Sequence, residues 1–99
     1  MTYQEGRKGQ MGTVLVMAVD WMAFEPRVGP VPRYRQVAQF ISDAVKDKRL
    51  QPGEPLPSET ALAEYMQVSV DTIRSGLQVL RDEGVVVTAQ GLGTFVATK

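Results

Sequence analysis

The chain predicts a mainly α fold with a small β-hairpin: three helices followed by two short strands. Three observations predict it. Between Tyr34 and Leu80 the apolar residues recur in steps of three and four, the spacing of one helix face. Pro, Ser and Gly stand where helices start and stop. After Gly84 the apolar period drops from 3.6 to 2, the signature of a strand.

The first helix opens at Pro32, since proline is tolerated in a first turn. Tyr34, Val37, Ala38, Ile41 and Val45 form its apolar stripe. Lys46, Lys48 and Arg49 are expected in its last turn, where cations complement the helix dipole, and Gln51-Pro52-Gly53 stops it. Ser58 after Pro57 caps a short second helix, with Glu59 in its first turn. Its expected core face is Leu62, Tyr65 and Met66, with Ala61 beside them. Gln67-Val68 is a tight turn and Ser69 a second cap. Val70, Ile73, Leu77 and Leu80 then line a third helix that ends at Gly84. Val85–Thr88 and Thr94–Ala97 read as strands, joined by a turn at Gln90-Gly91-Leu92-Gly93. Gly76, inside the third helix, marks a close contact between helices.

Ahead of this body, residues 1–30 read as an arm and linker, leaving residues 31–99 as the folded domain. Residues 1–13 are polar and Gly-rich. Val14–Val19 is an apolar run of six, cut by Asp20 and followed by Trp21, Met22, Ala23 and Phe24. It is too short for a membrane span, which needs about 20 apolar residues, and no signal-peptide cleavage pattern follows it. A short strand, or an apolar arm packed on the body or on a second copy, is the expectation. Initiation at Met11, Met17 or Met22 is a third reading. Pro26, Gly29, Pro30 and Pro32 form a linker that no helix crosses.

Composition narrows the chemistry. With no Cys and no His, the chain lacks the thiolate nucleophile, the commonest general base and the commonest metal ligands. Its paired carboxylates, Asp43 with Asp47 and Asp82 with Glu83, fall on expected solvent-facing helix surfaces. No enzyme activity, cofactor or metal is expected. The 11 basic and 11 acidic residues balance, but not evenly. Residues 31–53 hold five cations (Arg33, Arg35, Lys46, Lys48, Arg49) against Asp43 and Asp47, net +3. Residues 54–99 hold three (Arg74, Arg81, Lys99) against six acids, net −3.

Two short helices across a tight turn make a helix-turn-helix, and a glycine-tipped hairpin directly after them makes it a winged one. Specific residues sharpen this. Tyr34-Arg35-Gln36-Val37-Ala38, Leu50-Gln51-Pro52-Gly53, Leu56-Pro57-Ser58-Glu59, Leu62-Ala63, Val68-Ser69, Thr72-Ile73-Arg74, Leu80, Glu83-Gly84 and Gly91-x-Gly93-Thr94-Phe95-Val96 together resemble the GntR-type transcriptional regulators over residues 31–97. The resemblance implies a bacterial, cytoplasmic, nucleoid-associated repressor. Its third helix would sit in the major groove of double-stranded DNA and its wing at the minor groove. It also implies a homodimer, for which the arm offers a route. Members carry a carboxy-terminal effector domain. With Lys99 as the last residue, no small-molecule effector domain is expected. Four positions usually held by Arg in that family hold Thr60, Val70, Ala89 and Leu92 instead.

On a helical wheel, Asp71, Arg74, Ser75 and Gln78 fall opposite or beside the apolar stripe of the third helix, with Thr72 on the other flank. Arg74 matches the family's positioning Arg and suits a phosphate or a bidentate contact to guanine; Gln78 suits adenine, and Asp71 suits cytosine N4. Ser69 and Thr72 offer hydroxyls to phosphate, although Ser69 is a helix cap in any case. Thr60, Gln90 and Gly91 complete the candidate DNA contacts, the last two at the wing tip. The plainer reading of each is an exposed polar residue, and for Arg74 an intramolecular ion pair. A protein-interaction module with weak or no DNA binding is the competing function. The lost cations and the apolar arm favour it; Arg74, Thr72 and the wing glycines favour DNA.

Overall fold

The structure, a computed structural model, describes residues 19–98. The expectations for Val14–Ala18 and the polar start lie outside the described residues. Three helices, α1 (Arg33–Lys46), α2 (Glu59–Met66) and α3 (Val70–Asp82), precede the strands β1 (Val86–Ala89) and β2 (Gly93–Val96). The two strands pair antiparallel with Val86 opposite Val96 and Ala89 opposite Gly93. This is the expected winged helix-turn-helix.

The core forms where the apolar stripes meet. Val37, Ala38, Ile41 and Ala44 of α1 face Ile73, Gly76, Leu77 and Leu80 of α3. Gly76 sets how close they come: a Cβ there would lie 3.0 Å from both the Tyr34 carbonyl oxygen and Val37 Cγ1. Leu62, Ala63 and Met66 of α2, together with Val86 and Val96 of the hairpin, close the remaining sides. Ser58 and Ser69 cap α2 and α3 as expected, their hydroxyls accepting from the Ala61 and Thr72 amides at 3.1 Å. In the turn between these helices Gln67 is left-handed (φ 59°). Such a residue costs roughly 1–2 kcal/mol; the Gln67 carboxamide bonds the Glu64 carbonyl at 2.8 Å, which offsets part of it.

Four details differ from the sequence reading. First, α1 ends at Lys46, so Lys48 and Arg49 lie beyond it. Lys48 turns left-handed (φ 65°), and the Arg49 and Leu50 amides bond back to the Ala44 carbonyl. This cap swings Leu50 into the core. Second, Tyr65 is on the surface and Ala63 takes the core place, because eight-residue α2 buries only the narrow stripe of Leu62, Ala63 and Met66. Third, Val70 is only half-buried at the mouth of α3. Fourth, both strands are displaced by one residue. Gly84 (φ 77°) ends α3, and the Val85 amide bonds the Leu80 carbonyl at 2.9 Å. Val85 thus completes the helix cap, and the strand begins at Val86.

Two further features complete the body, the second of them the packing on the body that was one expectation for the apolar arm. Residues 53–56 lie along the open edge of β2: the Leu56 amide bonds the Thr94 carbonyl, the Val96 amide the Glu54 carbonyl, and the Gly53 amide the Val96 carbonyl. The covered edge cannot pair with another chain. The second is a strap. Val19, Trp21 and Phe24 are buried, Trp21–Ala23 forms a 3-10 helix against α2, and Phe40 of α1 packs on both aromatic rings, edge-on to Phe24 at 5.5 Å. Gln36 then clasps the linker, accepting from the Arg27 amide at 2.6 Å and donating to the Arg27 and Val31 carbonyls.

Candidate nucleic-acid interface

The side of α3 turned away from the core carries Asp71, Arg74, Ser75 and Gln78, all exposed, with Thr72 half-buried beside Ser69. The wheel therefore placed these residues where the structure has them. Their partners are another matter. Arg74 Nε donates to Glu59 Oε1 at 2.9 Å, and Arg74 Nη1 lies 3.8 Å from Asp71 Oδ1. The guanidinium is thus held between a carboxylate of α2 and one of its own helix. The Glu59 hydrogen bond, then its charge, pushes Arg74 further above the ordinary arginine pKa. It is a fixed cation at every working pH, with its Nη2 edge directed to neither carboxylate.

Gln78 is also engaged. Its carboxamide nitrogen donates to Asp82 Oδ1 at 2.9 Å and its oxygen accepts from Arg81 Nη2 at 3.1 Å. Arg81 Nη1 reaches across to Thr88 Oγ1 at 2.9 Å, tying α3 to β1. Pairing Gln78 with adenine requires both of its bonds to open or to be shared. The Ser69 hydroxyl bonds the Thr72 amide and hydroxyl, so both hydroxyls serve the cap. Thr60 is exposed in the first turn of α2, next to Glu59. Gln90 and Gly91 form the hairpin turn, Gly91 with φ 79°. The structure thus gathers Glu59 and Asp71 around Arg74, with Thr60 next to Glu59 in α2, and strings Ser75 and Gln78 along α3. Gln90 and Gly91 stand apart on the wing.

Sequence reasoning missed two residues, Glu59 and Arg81. Arg81 was legible, since it follows Gln78 at the i,i+3 spacing of neighbours on a helix. Glu59 is fifteen residues from Arg74, and nothing local signals that pairing. Elsewhere a groove of about 800 Å³ runs between the linker and α1, bordered by Phe24, Phe40, Lys46 and Val79; none of the candidate residues lines it. Among the described residues there is no carboxylate cluster able to hold a metal ion and no helix long and apolar enough to cross a membrane.

Residues 33–96 match the bacterial regulatory proteins of the gntR family. The chain is 41% identical over 75 residues to the histidine utilization repressor of Klebsiella aerogenes, covering 76% of this chain and 31% of that protein. It is 40% identical over 68 residues to the HTH-type transcriptional repressor NagR of Bacillus subtilis, covering 69% and 28%. It spans about a third or less of the length of these relatives. Among solved structures, the AraR DNA-binding domain in complex with operator ORX1 superposes with a TM-score of 0.67 at 33% identity, covering 75% of this chain and 92% of that one. YtrA from Sulfolobus acidocaldarius, a GntR-family transcription factor, gives 0.67 at 31% identity, covering 72% and 74%.

Proposed function

Since the chain belongs to the GntR family of bacterial regulatory proteins, we propose that it is a DNA-binding transcriptional regulator acting as a repressor in the cytoplasm. The observation that carries this reading is the pairing of an outward polar face on α3, centred on Arg74, with a likeness to a domain solved on its operator. In this reading α3 enters the major groove and the hairpin turn meets the minor groove. Arg74 contacts a phosphate or a guanine through the edge that Glu59 leaves open, and Gln78 and Ser75 face base edges. Thr60, Ser69 and Thr72 approach the backbone, and Asp71 restricts which base or phosphate lies beside the first turn of α3. Two copies bind two half-sites, as dimeric helix-turn-helix proteins do. A protein-interaction module is not favoured, because the two relatives described above are repressors by name and the domain-sized neighbours were solved on operator DNA.

Selection from a pool of randomised duplexes, followed by titration at about 50 and 200 mM salt, tests the reading. The expected result is one enriched sequence class whose affinity falls as salt rises. No retained duplex at 50 mM would overturn it.

A further inference from the structure

Between Glu83 and Lys99 no side chain carries a charge. The hairpin therefore neutralises no phosphate, although phosphate neutralisation supplies much of the affinity of DNA-binding proteins. Its tip instead presents Leu92, 77% exposed. The Leu92 amide closes the turn on the Ala89 carbonyl at 2.9 Å. Gly91 (φ 79°) and Gly93 (φ 119°) flank it, and a Cβ on either would meet nothing within 4 Å. Both glycines are needed for the turn's left-handed backbone, and they leave the tip slim. Arg81 ties this hairpin to α3 through Thr88 and touches Gln78 with its other nitrogen. The tip is thus held in a fixed relation to the polar face of α3.

Resting on the DNA-binding reading above, we propose that Leu92 is the specificity-determining residue of the wing, entering the minor groove and selecting A·T over G·C pairs there. The minor groove is only about 6 Å wide, and its base pairs differ chiefly by the guanine N2 amino group. That group projects from the groove floor into the space a leucine needs. Leucine offers it no acceptor, so contact strips its water and leaves a buried donor unsatisfied. An A·T pair has no such projection, and A-tracts narrow the groove, which increases apolar contact. Proteins of several folds bring apolar side chains, leucine among them, into the minor groove. A protein partner fits less well. A stable interface buries about 800 Å² per side, whereas the exposed apolar residues of the hairpin are only Leu92 and the half-exposed Val87.

The test uses the whole chain and its selected duplex. Each base pair is replaced in turn by A·T, G·C or inosine·C. Inosine keeps the major-groove face of guanine and lacks the N2 amino group. At the wing position G·C should weaken binding about tenfold and inosine·C should restore it. Leu92→Ala should erase that difference with no change in salt slope or in the thermal melt, because Leu92 is exposed. If inosine behaves as guanine at every position, or Leu92→Ala keeps the discrimination, the proposal falls while DNA binding stands. If Leu92→Ala changes only the sedimentation of the DNA-free chain, the tip belongs to a contact between copies and the proposal falls. If no duplex binds at low salt, the proposal and the DNA-binding reading fall together.

Discussion

Arg74 is legible in position at the level of sequence, and an ion pair is foreseeable there, but not with which carboxylate. Helical phase fixes where it points, and it does point away from the core. Its partner depends on how α2 lies across α3, which phase does not give. Held by Glu59 at 2.9 Å, the guanidinium is ordered before any ligand arrives, so less side-chain entropy is lost on binding. Arg74→Ala is expected to cost about tenfold or more in affinity for the selected duplex if it reads guanine. If it touches only phosphate, the loss should be equal on all sequences and the salt slope should fall by about one. Glu59→Gln removes a negative charge from the same face while keeping an acceptor for Arg74. Affinity for random duplex at 50 mM salt should rise severalfold, and selectivity should stay as in the parent. A loss of affinity in Glu59→Gln would mean that the carboxylate's hold on Arg74 matters more than its repulsion of phosphate. Gln78 and Arg81 carry the same lesson. Their positions follow from periodicity, but their mutual bond and the reach to Thr88 follow from tertiary structure.

At the level of elements, order and type follow from local signals, and boundaries follow from capping. Ser58, Ser69 and Gly84 announced themselves because their cap chemistry is local. Lys48 did not, because a left-handed lysine is no sequence signal. The strap was half-legible: Trp21 and Phe24 needed burial, but their docking against Phe40 and α2 depends on the fold of the body. Its weight can be measured. Trp21 is 4% exposed, and truncating a buried Trp costs about 3–5 kcal/mol. Trp21→Ala should lower the unfolding free energy read from a urea titration by the lower end of that range, since the strap is peripheral and can adjust. Deleting residues 1–25 should uncover Phe40 and lower solubility or change the oligomeric state; unchanged sedimentation and solubility would show the strap to be dispensable. Gly76 sets two effects against each other. Alanine in a helix interior gains about 1 kcal/mol over glycine. Here the new methyl would sit 3.0 Å from a backbone carbonyl and a β-branched side chain, and overpacking costs about 1–3 kcal/mol. Because neither neighbour is a flexible tip, Gly76→Ala should destabilise by about 1 kcal/mol net. A gain in stability would show that α1 can shift away from α3.

At the scale of the whole molecule, the balanced charge conceals a polarity. The net +3 belongs to residues 31–53 and the net −3 to residues 54–99, which supply α2, α3 and the wing. The elements proposed to face DNA are thus the poorer half in cations. Arg74, the cation at the centre of the α3 face, is already shared between two carboxylates. Weak binding with a shallow salt dependence follows, because the slope grows with the number of phosphates neutralised, few are neutralised here, and the acids repel the rest. A paired substitution isolates this cause. Val70 is half-buried at the mouth of α3 and Asp71 is fully solvent-facing, its side chain 92% exposed. Val70→Arg with Asp71→Thr changes the local charge at these two positions from −1 to +1 and removes Asp71 from beside Arg74. Ile73, Leu77 and Leu80 keep the α3 stripe buried without Val70, so the fold should survive, as a thermal melt would show. Each phosphate newly neutralised steepens the dependence of log K on log salt by about 0.9. The double variant should therefore bind random duplex more tightly at about 50 mM salt, lose more of that gain by about 200 mM, and discriminate less between selected and random sequence. Affinity that rises equally at both salt concentrations would instead mean that the new arginine reads a base. No gain at either would mean that the first turn of α3 does not approach the phosphate backbone, and the proposed placement of the helix in the groove would have to be rotated about its axis.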